Sequence, residues 1–515
     1  MAVARVRDGV SKAASGIRQI RCRSGMGVRS MRRYPGLGAV VVMLLVWASH
    51  HAAQAQPASG AGGARRDAVQ AWVTLTDRSK LLAPQDGLAL GAAMPLALNI
   101  EVDPGKRYQE MVGFGANISD ASAWLIQNRM SSTQRQALME DLFGKPPGLG
   151  LSFTRLTIGA SDFSRSHYTL DDVPKGQTDY PLAKFSIDPM RADVLPVVKS
   201  ALAINPKLQV MASPWSAPAW MKSNDSLIQG ALRPEAYEVF AQYLNKFADA
   251  MEAEAVPLFA LTVQNEPHFE PKDYPGMRVN SAARAALIGE HLGPLLAKRR
   301  KPLRILDWDH NWDEPQAPLE VLADAKARPY VAGVAWHCYA GDVAVQSQVH
   351  DAYPDKETYF TECSGGEWKP HWRETLPWFM RHLIIGTTRG WAKGVLLWNL
   401  ALDEKHGPHL GGCTDCRGVV TIDSRTGEVT RNLDYYALAH ASRFVRPGAR
   451  RIESTTGVER LETVAFQNND DDSIVLIVLN SAANSRHFSV TVGARSFQHR
   501  MPGASVATFV WSGSP

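Results

Sequence analysis

The stretch PLFALTVQNEP, residues 257–267, opens as an apolar run and closes on an amide, a carboxylate and a proline. A short apolar run bounded this way is a strand buried on both faces, as parallel sheets require, with its polar groups at the C-terminal end. Seven further runs share the design: MVGFGANISD (111–120), SFTRLTIGAS (152–161), LQVMASPWS (208–216), RILDWDHN (304–311), GVAWHCY (333–339), TYFTECSG (358–365) and GVLLWNL (394–400). Helical patterns separate them. Tyr237, Phe240, Leu244, Phe247 and Met251 recur at helical spacing behind Pro234, which suits a first turn. Residues 281–300 are Ala/Leu-rich and helical in character, with Gly293-Pro294 expected to interrupt or kink them. Strand and helix alternating eight times predict an α/β protein, a (β/α)8 TIM barrel over residues 108–430.

The two flanks read differently. After residue 430, SIVLIVLN (473–480), RHFSVTV (486–492) and ASVATFVW (504–511) are strands separated by Asn, Asp, Gly and Ser clusters. Before the barrel, AWVTLT (71–76) and LALNIEV (96–102) have the same character. A side β-sandwich domain built from both chain ends, 68–107 and 431–515, follows. A barrel takes about 250 residues, so a chain of 515 has room for both.

The first 55 residues read as a signal peptide: a basic stretch, the apolar run GLGAVVVMLLVWAS (36–49), and Ala53-Gln54-Ala55 before a linker at 56–67. The apolar run is shorter than the roughly 20 residues of a membrane span, so the expected location is secreted or periplasmic, without stable membrane insertion. The formal charge of +5 is misleading. Residues 1–55 carry nine basic groups and one acidic group, leaving 5 − 8 = −3 beyond them. Nucleic acid is therefore not an expected partner. Cys338, Cys363, Cys413 and Cys416 lie beyond the leader and can form disulfides in an exported protein, with connectivity left open.

In a parallel barrel the reactive groups sit where strands end. Glu266 ends the fourth run and Glu362 the seventh, which brings two carboxylates to one mouth. A carboxylate pair is the apparatus of glycoside hydrolysis: one protonated group serves the leaving oxygen, and one ionised group attacks the anomeric carbon. A charged Glu362 is expected to raise the pKa of Glu266. A non-catalytic sugar-binding barrel and a metal-assisted hydrolase using His337, His406 and His409 are the alternatives.

The motifs QNEP, TECSG, GFGANISDA, RLTIGASDFS, ASPWSAPAWMKSN and GVLLWNLAL, in this order and spacing over residues 108–425, resemble glycoside hydrolase family 30, which includes the glucosylceramidases. The resemblance implies a barrel with a side β domain, a retaining β-glycosidase activity and no cofactor or metal. It implies Glu266 as acid/base, Glu362 as nucleophile, and Asn265 as a partner of the sugar 2-hydroxyl. Asp120, Trp215 and Trp398 match residues lining the sugar pocket. Arg155 matches an arginine that holds the nucleophile ionised, and His337 and Tyr339 match a His-x-Tyr in which the tyrosine orients Glu362.

WDHNW (308–312), HCYAGD (337–342) and HGPHLGGCTDCRG (406–418) depart from the lysosomal glucosylceramidase pattern and resemble bacterial members that cleave β-1,6-glucans. The expected substrate is thus a β-glucan, with a glucosylceramide, β-glucoside or β-xyloside as the alternative. Asp309, His310 and Trp312 are placed either along the path of the leaving-group sugars or in a locally bonded loop. Cys413-x-x-Cys416 supplies only half of a four-ligand zinc site.

Overall fold

The computed structural model describes residues 68–513; the expected signal peptide and linker lie outside the described residues. All eight expected runs form strands: β1 (Gly113–Asn117), β2 (Phe153–Ile158), β3 (Gln209–Pro214), β4 (Leu258–Thr262), β5 (Arg304–Asn311), β6 (Val331–His337), β7 (Glu357–Glu362) and β8 (Ala392–Asn399). They close into a barrel, β8 pairing with β1, and neighbouring strands are parallel. Every residue of β2 is buried, as a strand covered on both faces demands. Phe153, Met211, Ala260, Leu306, Ala335, Tyr359 and Leu396, from seven of the strands, pack together as one apolar cluster.

The crossover helix Tyr237–Ala253 buries Phe240, Leu244, Phe247 and Met251, behind a single 3-10 turn that starts at Pro234. The expected interruption at Gly293-Pro294 takes another form. Helix Ser281–Ala286 widens into a π turn at Leu287–Leu292 and resumes at Gly293–Leu296. A widened turn ahead of proline accommodates its missing N–H and its ring without ending the helix. Gly293 is required for space, because a Cβ there would lie 2.2 Å from the Tyr330 ring.

Both chain ends build the side β domain, as expected. Ala68–Leu75 pairs antiparallel with Ser505–Ser512, and Asn99–Glu110 pairs with Arg450–Ser454 and Arg486–Val492. Its separate core includes Val69, Ile100, Leu476, Phe497 and Phe509. The segment after residue 430 does not begin with a strand: Leu433–Ser442 is a helix lying between the barrel and this sheet. His440 from that helix hydrogen-bonds Thr508 and Thr74, at 2.9 and 2.8 Å. Burial lowers its pKa to about 3, so it joins the two ends of the chain as a neutral ring.

Candidate active site

The site begins with alternation along the strands. Two residues beyond the apolar cluster, the inward positions become Arg155 on β2, Ser213 on β3, Thr262 on β4, His337 on β6 and Thr361 on β7. On β5 the same step is displaced. Trp308 and Asp309 both adopt positive φ, 75° and 52°, and the pairing with β6 slips between Trp308 and His310. Such a bulge re-aims a side chain, and here it delivers Asp309 to the centre of the polar layer.

Asp309 is fully buried and accepts from Arg155 (2.6 Å), Ser213 (2.5 Å), Thr361 (2.7 Å), Thr262 (2.9 Å) and His337 Nε2 (3.0 Å). Burial alone would raise its pKa, but the Arg155 charge and the His337 bond outweigh that and hold it far below the carboxylate range. This corrects the expectation that Asp309 lines the path of leaving-group sugars. Trp312 is likewise core: its ring stacks on Phe360 and its indole N–H donates to Gln346 at 3.1 Å.

The two glutamates meet above this layer. Glu362, the last residue of β7, accepts from Arg155 Nη1 at 2.6 Å and from the Tyr339 hydroxyl at 2.9 Å. Glu266 follows β4 with φ +48°, and its backbone N–H donates to the Asp309 carbonyl at 3.0 Å. Left-handed backbone at a non-glycine residue stores strain that recurs at functional sites. His337 Nδ1 lies 3.1 Å from Glu266 Oε1 and 4.0 Å from Glu362 Oε1. The two oxygens are therefore at most 7.1 Å apart, the sum of those distances. That bound accommodates the roughly 5 to 5.5 Å between the carboxyl groups of retaining glycosidases.

Electrostatics divide the pair. Burial opposes the charged form of His337, yet Glu362, Asp309 and Glu266 surround the ring and raise its pKa to about 9, so it is an imidazolium at neutral pH. Burial also pushes Glu266 upward, but its bond to His337 and the charges of His310, His337 and Arg155 bring it below the ordinary value. Glu362 stands above its ordinary value because burial exceeds the attraction of His337 and Arg155. This order reverses the expectation that Glu266 is the raised group. Arg155 and His337 supply two positive charges against Asp309, Glu266 and Glu362, so the cluster favours one further proton.

Asn265 Oδ1 accepts from Arg155 at 2.7 Å, leaving its amide NH2 as a donor. Trp215 and Trp398 stack on each other at 5.0 Å, with the Arg155 guanidinium 4.7 Å from the first ring and 5.9 Å from the second. Both indoles are almost fully buried. Asp120 opens the helix after β1, and the next residue, Ala121, packs with Phe163, Trp215 and Trp398. The Asp120 carboxylate accepts from Tyr168 at 2.8 Å, and its charged neighbours are Asp193 and Arg165. A second buried acid, Asp162, follows β2 and was not singled out in the sequence. Burial raises its pKa, and the next largest contribution comes from the charge of Glu362, followed after its own backbone bond by that of Glu266. Position past a strand end was the available signal.

His406 and His409 bond the carbonyls of Cys416 and Gly411 instead of joining His337. Glu266, His310 and His337 converge within 4.8 Å, and both nitrogens of His337 lie within hydrogen-bond distance of carboxylates, Glu266 and Asp309. The cysteines pair as Cys338–Cys363, directly behind His337 and Glu362, and as Cys413–Cys416. All four thiols are thereby removed from zinc chemistry.

A parallel barrel with two opposed carboxylates at the C-terminal ends of its strands defines the class of barrel glycoside hydrolases. Residues 111–445 match the glycosyl hydrolase family 30 TIM-barrel domain, and residues 448–509 match the family 30 β-sandwich domain. The chain belongs to glycosyl hydrolase family 30. An endo-1,6-β-D-glucanase of Neurospora crassa is 35% identical over 81% of this chain and 85% of its own. One from Aspergillus fumigatus is 34% identical over 84% and 91%. A solved endo-β1,6-glucanase structure, 32% identical, superposes with a TM-score of 0.80 over 87% of this chain and all of its own. Among the described residues no helix is long and apolar enough to cross a membrane.

Proposed function

We propose that this protein hydrolyses internal bonds of β-1,6-glucan with retention of configuration, Glu362 acting as nucleophile and Glu266 as acid/base. The observation that carries the reading is the arrangement of the two carboxylates around His337, Glu362 being further held by Arg155 and Tyr339. Arg155 and Tyr339 donate to Glu362 and oppose the burial that raises its pKa, so they stabilise the ionised, attacking form as it is engaged. As Glu362 bonds to C1, the C1–O6 bond breaks and O6 takes the proton of Glu266. The 3.1 Å contact with His337 gives Glu266 access to that proton. Glu266 then deprotonates water, which attacks C1 and releases Glu362. The NH2 of Asn265 suits the sugar 2-hydroxyl, the carboxylate of Asp162 suits sugar hydroxyls, and the buried Trp215–Trp398 pair suits a wall for the apolar face of a pyranose.

The linkage rests on the relatives named as endo-1,6-β-glucanases. Export rests on the signal-like leader and is supported by the two disulfides. The test is product analysis of the purified protein on polymeric β-1,6-glucan, glucosylceramide and an aryl β-glucoside, with proton NMR of the first product formed. Oligosaccharides released as β-anomers are expected. Release of the α-anomer overturns the retaining mechanism, and cleavage of the lipid or aryl substrate alone overturns the endo-glucanase reading.

A further inference from the structure

A second cavity of about 510 Å3 opens beside the carboxylate pair, between the ends of β6 and β7 and the helix Trp372–Phe379. This volume falls within the about 300 to 1,000 Å3 of small-molecule sites. Tyr339, Trp368 and Trp378 contribute to its walls, and they remain 45%, 49% and 37% exposed. Three large aromatics left open around one concavity call for an occupant, because the solvated apolar surface of each would otherwise be buried.

The platform is held in place before anything binds. The Trp368 ring lies over Gly366, where a Cβ would fall 1.9 Å from it. Gly365–Gly366 pairs antiparallel with Cys416–Arg417, Cys416 is joined to Cys413, and Arg417 donates to Asp434 at 2.7 Å. The Cys338–Cys363 disulfide, also lining the cavity, ties the end of β6 to the end of β7. The aromatic faces are thus fixed relative to Glu362, which lowers the ordering cost of binding.

We propose that this cavity is a distal glucan subsite, in which the chain continuing from the cleavage point stacks on Trp368 and Trp378. The assignment rests on the glucanase reading above and deepens it. Continuity supports this occupant: Tyr339 donates to Glu362 and also lines the cavity, so a chain leaving the carboxylate pair enters it directly. The chemistry agrees, since indole faces cover the apolar face of a pyranose while Lys369 and Glu374 offer a donor and an acceptor to its hydroxyls.

Trp368→Ala, Trp378→Ala and the double variant test it, with unchanged thermal unfolding as the check of folding. Each single change is expected to raise KM for polymeric β-1,6-glucan about 3- to 10-fold, the worth of one stacking contact. Hydrolysis of an aryl β-glucoside should stay within about twofold, since it fills only the cleavage position. Trp368→Phe should restore most of the loss. Equal losses on both substrates, an unchanged KM on the polymer, or impairment confined to glucosylceramide would each overturn the proposal. Calorimetry of β-1,6-gluco-oligosaccharides with Glu362→Gln, with and without the tryptophans, separates it from the glucanase reading. Oligosaccharide binding that depends on the tryptophans retains the subsite even where the wild-type protein cuts no polymer, and tryptophan-independent binding removes it.

Discussion

Two layers of the same barrel, two residues apart along the strands and three across the bulge of β5, have opposite chemistry. The lower layer holds Phe153, Met211, Leu306, Ala335 and Tyr359, and the upper holds Arg155, Asp309, His337 and Thr361. All are buried, and all sit on parallel strands. The lower layer is stabilised by area removed from water and by close packing, so its members are replaceable by apolar residues of similar volume. The upper layer is stabilised only if every charge keeps its partner, because an unpaired buried charge is costly. The barrel therefore concentrates its electrostatic cost in the plane where reactive charges are needed, over an apolar base that resists collapse.

The sharpest break of this contrast is Glu362→Gln, which keeps the shape of the upper layer and removes the attacking charge. A loss of about 10⁴-fold or more in kcat is expected on every glycoside, the scale seen when a nucleophile is removed. Steady-state kinetics on aryl glucoside and glucan check it, and full activity on either would remove the assignment. Glu266→Gln comes next, with about 10²- to 10⁴-fold on substrates with poor leaving groups. Activated aryl glycosides should lose less, and an equal loss on both would argue against the acid role.

Arg155→Met tests stability as well as activity. It leaves Asp309 and Glu362 buried without their cation, with an expected cost of about 3–5 kcal/mol in urea unfolding. Leu306→Ala in the lower layer is expected to cost about 2–5 kcal/mol through the cavity it leaves, yet to retain turnover in the folded fraction. Comparable stability losses with opposite effects on kcat would uphold the division between layers. Equal kcat losses would erase it.

The smallest effect expected is a dependence on pH. The pKa of His337 is raised in the folded state from 6.5 to about 9. A raised pKa means that the folded state binds the proton more tightly, so the contribution is complete below about pH 6.5 and fades as pH rises toward about 9. The unfolding free energy should therefore fall across that window, and His337→Gln should flatten this component. A wild-type profile rising between pH 6.5 and 9 would show the ring to be neutral in the native state.

Much of this was legible locally. The eight apolar runs, their loaded ends and the β character of both flanks depend on residue type and period, which neighbouring residues reveal. Glu266, Glu362, Tyr339 and His337 could be named because each lies at or just past a strand end and matches a family motif, and Arg155, inside β2, because it matches one. For Asp309 and Trp312 the choice between the sugar path and a locally bonded loop stays open in the sequence, because a bulge cannot be read from composition. In regular alternation Trp308 would take the inward position that Asp309 holds. Asp162 went unnamed for a similar reason: it matches no role read from the motifs, and only the course of the loop after β2 brings its charge to bear on the glutamates.

The order of strands and helices, the polarity of their ends and the number of cysteines belong to the sequence itself, because alternation and burial act over a few residues. Tertiary structure decided which thiols pair and that Asp309 anchors Arg155 and His337. It also set the proton affinities of the two glutamates against the simple expectation. Each of these depends on groups far apart in the chain meeting where water is excluded, and there a few ångströms determine whether a charge is neutralised or left alone.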